Sequence, residues 1–217
     1  MRGIPLSHPD RIVFPAQGYT KLDLARYHDS IVERELPHLL RRPLTLLRCP
    51  GAIGKACYFM KHSKVWAPLA LRRVRIPEKT KLGEYLIADT PEAVIALAQM
   101  DVIEIHTWNT RDDDVEKPDR IVIDLDPGPD VPWREVILLD YLRNNRTNTS
   151  ISAWSPRARD GAPVSMPVSW EELTPRLDPA KITVATALRR ARDDPWKEYW
   201  KLKQRLSASA LRAAAAL

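Results

Sequence analysis

The chain has 217 residues, 44% hydrophobic and 29% charged, enough for one large domain or two small ones with a substantial core. No run of about eighteen apolar residues occurs, so no membrane span is expected. Residues 1–15 also lack the apolar core of a secretion signal. A net charge of +6 and a pI near 9.4 favour a polyanionic partner, with arginines clustered at 41–42, 72–75, 157–159 and 189–192. Cys49 and Cys57 have neither CxxC spacing nor a second pair. They fit no common zinc pattern, even with His62, and suit a reducing cytosol.

Nineteen prolines against seven glycines predict many punctuated loops and no flexible low-complexity linker. Residues 20–40 read as a helix, with Thr20 and Asp23 as a capping box and Leu24, Tyr27, Ile31 and Leu36 as the apolar stripe. Residues 44–48 and 57–61 read as strands, and Thr90-Pro91-Glu92 opens a helix running to about residue 100. VIEIHTW (102–108) reads as a strand with Ile103, Ile105 and Thr107 on one face and Glu104 and His106 on the other. SWEE (169–172) reads as a second capping box. Pro195-Trp196 is expected to start a C-terminal helix that ends in the alanine-rich tail. Interleaved strands and helices without a regular alternation give the α+β class.

The most informative stretch is IVIDLDPGPD (121–130). Its β-branched run predicts a strand that delivers Asp124 and Asp126 into a Pro-Gly-Pro turn. Residues two apart on a strand share a face, so the two carboxylates project together. Hard cations such as Mg²⁺ and Mn²⁺ take such oxygen ligands, and two-metal phosphoryl transfer uses them. Asp is common in turns, which accounts for Asp126 but poorly for Asp124 inside a strand.

Several stretches together resemble the polymerase domain of bacterial DNA ligase D, a member of the archaeo-eukaryotic primase superfamily used in non-homologous end joining. They are HPDRIVFP (8–15), YTKLDLARY (19–27), RRPLTLLRCP (41–50), CYFMKH (57–62) and AQMDVIEIHTWNTR (98–111). KPDRIVIDLDPGPDVPW (117–133), LLDYLRN (138–144) and SPRARDGAPVSMPVSWEEL (155–173) complete the set, in family order. The resemblance implies a mixed sheet flanked by helices over residues 1–195, followed by a C-terminal helix and tail over 196–217. It implies that Asp124, Asp126 and Asp140 hold two Mg²⁺ or Mn²⁺ ions. It places His106, Arg143, Arg157 and Arg159 near the incoming NTP or dNTP, and Lys21, Tyr58 and Phe59 at the DNA. Lys21 stands in a helix's first turn against the dipole preference, which an anion beside it would explain. Arg157 and Arg159 beside Asp160-Gly161 suit a phosphate fork. If 57–61 is a strand, one of Tyr58 and Phe59 points into the core.

The chain departs from the family between the VPW and DYLRN segments. The family carries several dozen residues there, with a Ser-Gly-Gly-Lys-Gly-Leu-His motif that binds nucleotide phosphates; here Arg134–Leu139 alone bridge the gap. Asp140 then lies either on a strand paired back beside Asp124 or on a helix capped by Asn144-Asn145, and local signals lean towards the helix. The expected function is a gap-filling or end-joining nucleotidyltransferase in DNA repair. The rivals are a shortened paralogue that grips 5′-phosphorylated DNA ends, and a metal-dependent nuclease. The resemblance also implies DNA, a DNA ligase and the end-binding protein Ku as partners, at the nucleoid in the cytoplasm.

Overall fold

The protein is described by a computed structural model covering residues 1–126, 138–140, 142–203, 205 and 207–215. A short hairpin of β1 (Ile12–Phe14) and β2 (Tyr19–Thr20) leads into α1 (Lys21–Leu39). The capping box read from the sequence forms. The Asp23 N–H donates to the Thr20 hydroxyl at 3.2 Å, and the Thr20 N–H donates to the Asp23 carboxylate at 2.9 Å. Next come β3 (Leu44–Arg48), β4 (Tyr58–Met60) and a hairpin of β5 (Arg72–Pro77) with β6 (Leu82–Ile87). Helix α2 (Pro91–Gln99) starts at Thr90, whose hydroxyl accepts from the Ala93 N–H at 3.2 Å. It ends just before β7 (Val102–Trp108).

β8 (Asp124–Asp126) pairs antiparallel with β9 (Leu138–Asp140), and β10 (Thr149–Ile151) follows. Later come α3 (Val184–Arg190) and α4 (Ala208–Ala215). The antiparallel sheet β10-β7-β3-β4 is the organising layer. Leu44, Leu46, Met60 and Ile105 from this sheet pack with Val32 and Leu39 of α1 and with Val94 and Leu97 of α2. A second cluster joins Phe14, Leu24, Tyr27 and Ile103 to Trp154, Val184 and Ala187, which ties the C-terminal third to α1. Both clusters thus anchor β7, the strand that carries Glu104 and His106.

Four sequence expectations change. The 121 strand begins only at Asp124; Ile121 and Ile123 lie before it and are exposed, at 73% and 57%. SWEE caps a turn and no helix: the Ser169 N–H reaches the Glu172 carboxylate, but the chain does not continue helically. Pro195-Trp196 opens turns and a short 3₁₀ segment at Tyr199–Lys201, and the C-terminal helix forms only at Ala208–Ala215. Cys49 and Cys57 form a disulfide between the end of β3 and the start of β4. The Pro-Gly-Pro turn and the VPW segment lie outside the described residues.

Candidate nucleotide and DNA site

β9 is a strand, which corrects the lean towards a helix, and its register sets Asp140 directly opposite Asp124. Asn144 does not cap a helix either. It docks on Val122 as a ladder partner would: the Val122 N–H donates to Asn144 Oδ1 at 2.8 Å, and Asn144 Nδ2 donates to the Val122 carbonyl at 2.7 Å. Asn109 Nδ2 in turn donates to the Arg143 carbonyl at 3.1 Å. These bonds set Arg143 beside Asp124, where Arg143 Nε donates to Asp124 Oδ2 at 3.1 Å.

A cavity of about 470 Å³ is lined by His106, Asp124, Arg143 and Arg157, together with Met166, Trp196 and Tyr199. His106 and Arg157 are held by one buried carboxylate. Glu104 Oε2 lies 2.9 Å from His106 Nε2, while Glu104 Oε1 accepts from Arg157 Nε at 3.2 Å and from the Ala158 N–H at 2.9 Å. Burial alone would raise the Glu104 pKa, but the bonds from His106 and Ala158 and the Arg157 charge outweigh it and hold the carboxyl down at about 2. Glu104 is thus the anionic hub that aims two cavity residues. The sequence reading placed it beside His106 on the strand face without giving it this role.

Arg159 is exposed and does not line the cavity, so no fork with Arg157 forms. Lys21 is not displayed to solvent: it is 2% exposed, its ammonium 3.0 Å from Asp101 and 2.7 Å from the Gln99 carbonyl. The anion that its place at the helix start called for is therefore the protein's own Asp101, which Arg11 also engages. Burial lowers the Lys21 pKa, against the raising effect of Asp101.

Tyr58 and Phe59 are both exposed, at 46% and 58%, where the alternation of a strand predicted one inward ring. β4 is the edge of the sheet and is three residues long, and only its Met60 is buried. Phe59 sits edge-on to His106 at 5.3 Å, and the Arg48 guanidinium lies over Trp66 at 4.4 Å and donates to the Tyr58 hydroxyl. An aromatic and cationic surface therefore runs up to the cavity.

Among the described residues no three His, Cys, Asp or Glu side chains converge as a metal site. The donor chemistry nonetheless suits a hard divalent ion, because Asp124, Asp126 and Asp140 occupy two paired strands in this register.

The sequence model of the LigD primase-polymerase domain matches residues 20–138 and 135–196. The chain belongs to this family. Its fold resembles that of the polymerase domain from Mycobacterium tuberculosis Ligase D, solved in complex with DNA. The TM-score is 0.79 with 21% identity, over 92% of this chain and 98% of that one. The multifunctional non-homologous end joining protein LigD of Pseudomonas aeruginosa is 28% identical across 95% of the chain and 34% of its own length. That of Mycolicibacterium smegmatis is 35% identical across 61% of the chain and 18% of its own length. The chain thus spans about a third or less of the curated relatives it matches. The alignment with the Pseudomonas protein runs over 293 positions, more than the whole chain, so that LigD carries residues with no counterpart here. The two matched parts meet at 135–138, within the shortened junction read from the sequence.

Proposed function

We propose that the chain is a DNA-repair nucleotidyltransferase of the primase-polymerase type, acting at gaps or breaks with a 5′-phosphate. The observation that carries this reading is the register of Asp140 opposite Asp124, with Asp126 two residues along the same strand, at the edge of a cationic cavity. Asp124, Asp126 and Asp140 would hold Mg²⁺ or Mn²⁺, which when bound activates a primer hydroxyl and neutralises charge on the transferring phosphate. His106, Arg143 and Arg157 orient a nucleotide's phosphates, the last two by charge-assisted hydrogen bonds. Tyr58 and Phe59 offer faces on which template bases stack. The relatives' role in non-homologous end joining makes a ligase and an end-binding protein such as Ku the expected partners.

A second reading, a paralogue that grips DNA ends without polymerising, draws support from the Arg143–Asp124 ion pair and from the two-part family match. Template-directed primer extension with Mn²⁺ separates the two readings. Incorporation supports the polymerase. DNA binding that depends on a 5′-phosphate but without incorporation supports the paralogue. Degradation of DNA without added nucleotide would turn the assignment towards a nuclease.

A further inference from the structure

The cavity is also lined by two groups that the carboxylate-and-arginine site does not use, Arg120 and His38. Arg120 hydrogen-bonds to the Thr107 hydroxyl and, at 3.1 Å, to the Trp108 carbonyl, yet forms no ion pair with any described residue. The nearest acidic candidate, Asp119, is already shared: Arg42 lies 2.7 Å and Arg111 2.8 Å from its carboxylate. The Arg120 Nε is buried without a hydrogen-bond partner among the described residues. Burial, together with Arg42, draws its pKa down to about 10.

His38, in the last turn of α1, is 3% exposed, and its Nε2 is likewise buried without a partner among the described residues. Burial and the charges of Arg120 and Arg42 bring its pKa to about 4, so the ring is neutral at neutral pH. Its ring meets Trp200 edge-on at 4.8 Å and lies tilted 6.0 Å from Trp196. A guanidinium without an ion-pair partner among the described residues, beside an unpartnered ring nitrogen, is unfavourable unless something fills the space. A bound anion would satisfy both at once.

We propose that the Arg120–His38 end of the cavity is an anion subsite that takes a phosphoryl group of a nucleotide, flanked by Trp196 and Tyr199. The inference rests on the reading of the cavity as a nucleotide site and adds the group it grips. A guanidinium accepts phosphate oxygens through paired N–H donors, a neutral imidazole adds one further donor, and the aromatic wall limits competing water. The subsite uses residues of α1, the segment before β8 and the C-terminal segment, all of which this shortened chain retains.

The test is calorimetric titration of the full chain with inorganic pyrophosphate, compared among wild type, Arg120→Gln, Arg120→Lys and Arg75→Gln, an exposed cation outside the cavity. The proposal expects Arg120→Gln to weaken pyrophosphate binding by about tenfold or more, Arg120→Lys to fall between it and wild type, and Arg75→Gln to match wild type. Equal weakening by Arg75→Gln and Arg120→Gln, or no binding by wild type, overturns it. Because Arg120 also supports β7, a second readout uses wild type alone. The ring resonances of His38 shift with pyrophosphate if the subsite exists, and an unchanged ring at saturation overturns it.

Competition identifies the source of the phosphate. Displacement of pyrophosphate by ATP supports a nucleotide, whereas displacement only by a 5′-phosphorylated oligonucleotide overturns that assignment. Failure of the nucleotidyltransferase reading looks different: primer extension is absent while pyrophosphate binding and its Arg120 dependence persist.

Discussion

Arg143 Nε lies 3.1 Å from Asp124 Oδ2, so the carboxylate at the head of the β8–β9 ladder is shared with a cation of the chain itself. A metal at Asp124 would compete with this guanidinium. Both side chains are well exposed, and such a pair contributes roughly 0–1 kcal/mol. Arg143→Gln is therefore expected to tighten Mn²⁺ binding by about two- to fivefold while weakening nucleotide binding. Mn²⁺ titration by electron paramagnetic resonance and the nucleotide KM check the two opposite signs, which loss of folding could not produce together.

Asn144 places Arg143 by substituting for a strand neighbour of Val122. Asn144→Ala removes both side-chain bonds to that backbone, a cost of about 1–3 kcal/mol at roughly 1 kcal/mol per bond plus the unsatisfied groups. Nucleotide affinity should fall as Arg143 loses its position. Thermal unfolding and KM are the measurements, and Asn144→Asp, which keeps the acceptor but loses the donor, should lie between wild type and alanine.

The Glu104 carboxyl has its folded pKa held at about 2, below an unfolded value of 4.5. Its contribution is therefore complete above about pH 4.5 and is lost as the pH falls through about 2. The shift corresponds to on the order of 3 kcal/mol. Glu104→Gln should lower stability at neutral pH and flatten the acid limb of the stability curve between those values. It should also lower activity, because His106 and Arg157 lose the carboxylate that aims them. Denaturant midpoints measured from pH 7 down to 2 test this.

Lys21 and Phe59, grouped together at the DNA by resemblance, should separate by experiment. Lys21→Met breaks a buried pair with Asp101, which keeps Arg11, so a loss of roughly 1–3 kcal/mol in stability is expected. Phe59→Ala removes an exposed ring and should leave stability within about 1 kcal/mol. It should weaken DNA binding by roughly five- to a hundredfold, the worth of one base stacked on an aromatic ring. Melting temperatures and fluorescence anisotropy with a gapped duplex distinguish the two substitutions.

Local chemistry made much of this fold legible. The Thr20–Asp23 box, the Thr90-Pro91 start and the strand over VIEIHTW rest on near-neighbour interactions and appear as read. The β5–β6 hairpin and α3 were missed, since α3 has seven residues with little periodic signal and is held by Val184 and Ala187 against α1 and Trp154. The pairing of β9 with β8 depends on contacts between chain segments that no local pattern encodes. In the site, Asp124, His106, Arg143 and Arg157 were marked by sequence and come together. The burial of Lys21 and the hub role of Glu104 were not legible, because both follow from which distant residue, Asp101 or Arg157, folds against them.

The central claim is nucleotidyl transfer at the Asp124–Asp126–Asp140 strands. Its most direct test is Mn²⁺-dependent, template-directed addition to a primer 3′ end across a gap with a 5′-phosphate. The wild-type chain is expected to add nucleotides, with a fall of about 100-fold or more in both Asp124→Ala and Asp126→Ala. No addition by wild type under conditions where it binds the gapped DNA, or addition undiminished in both variants, would contradict it.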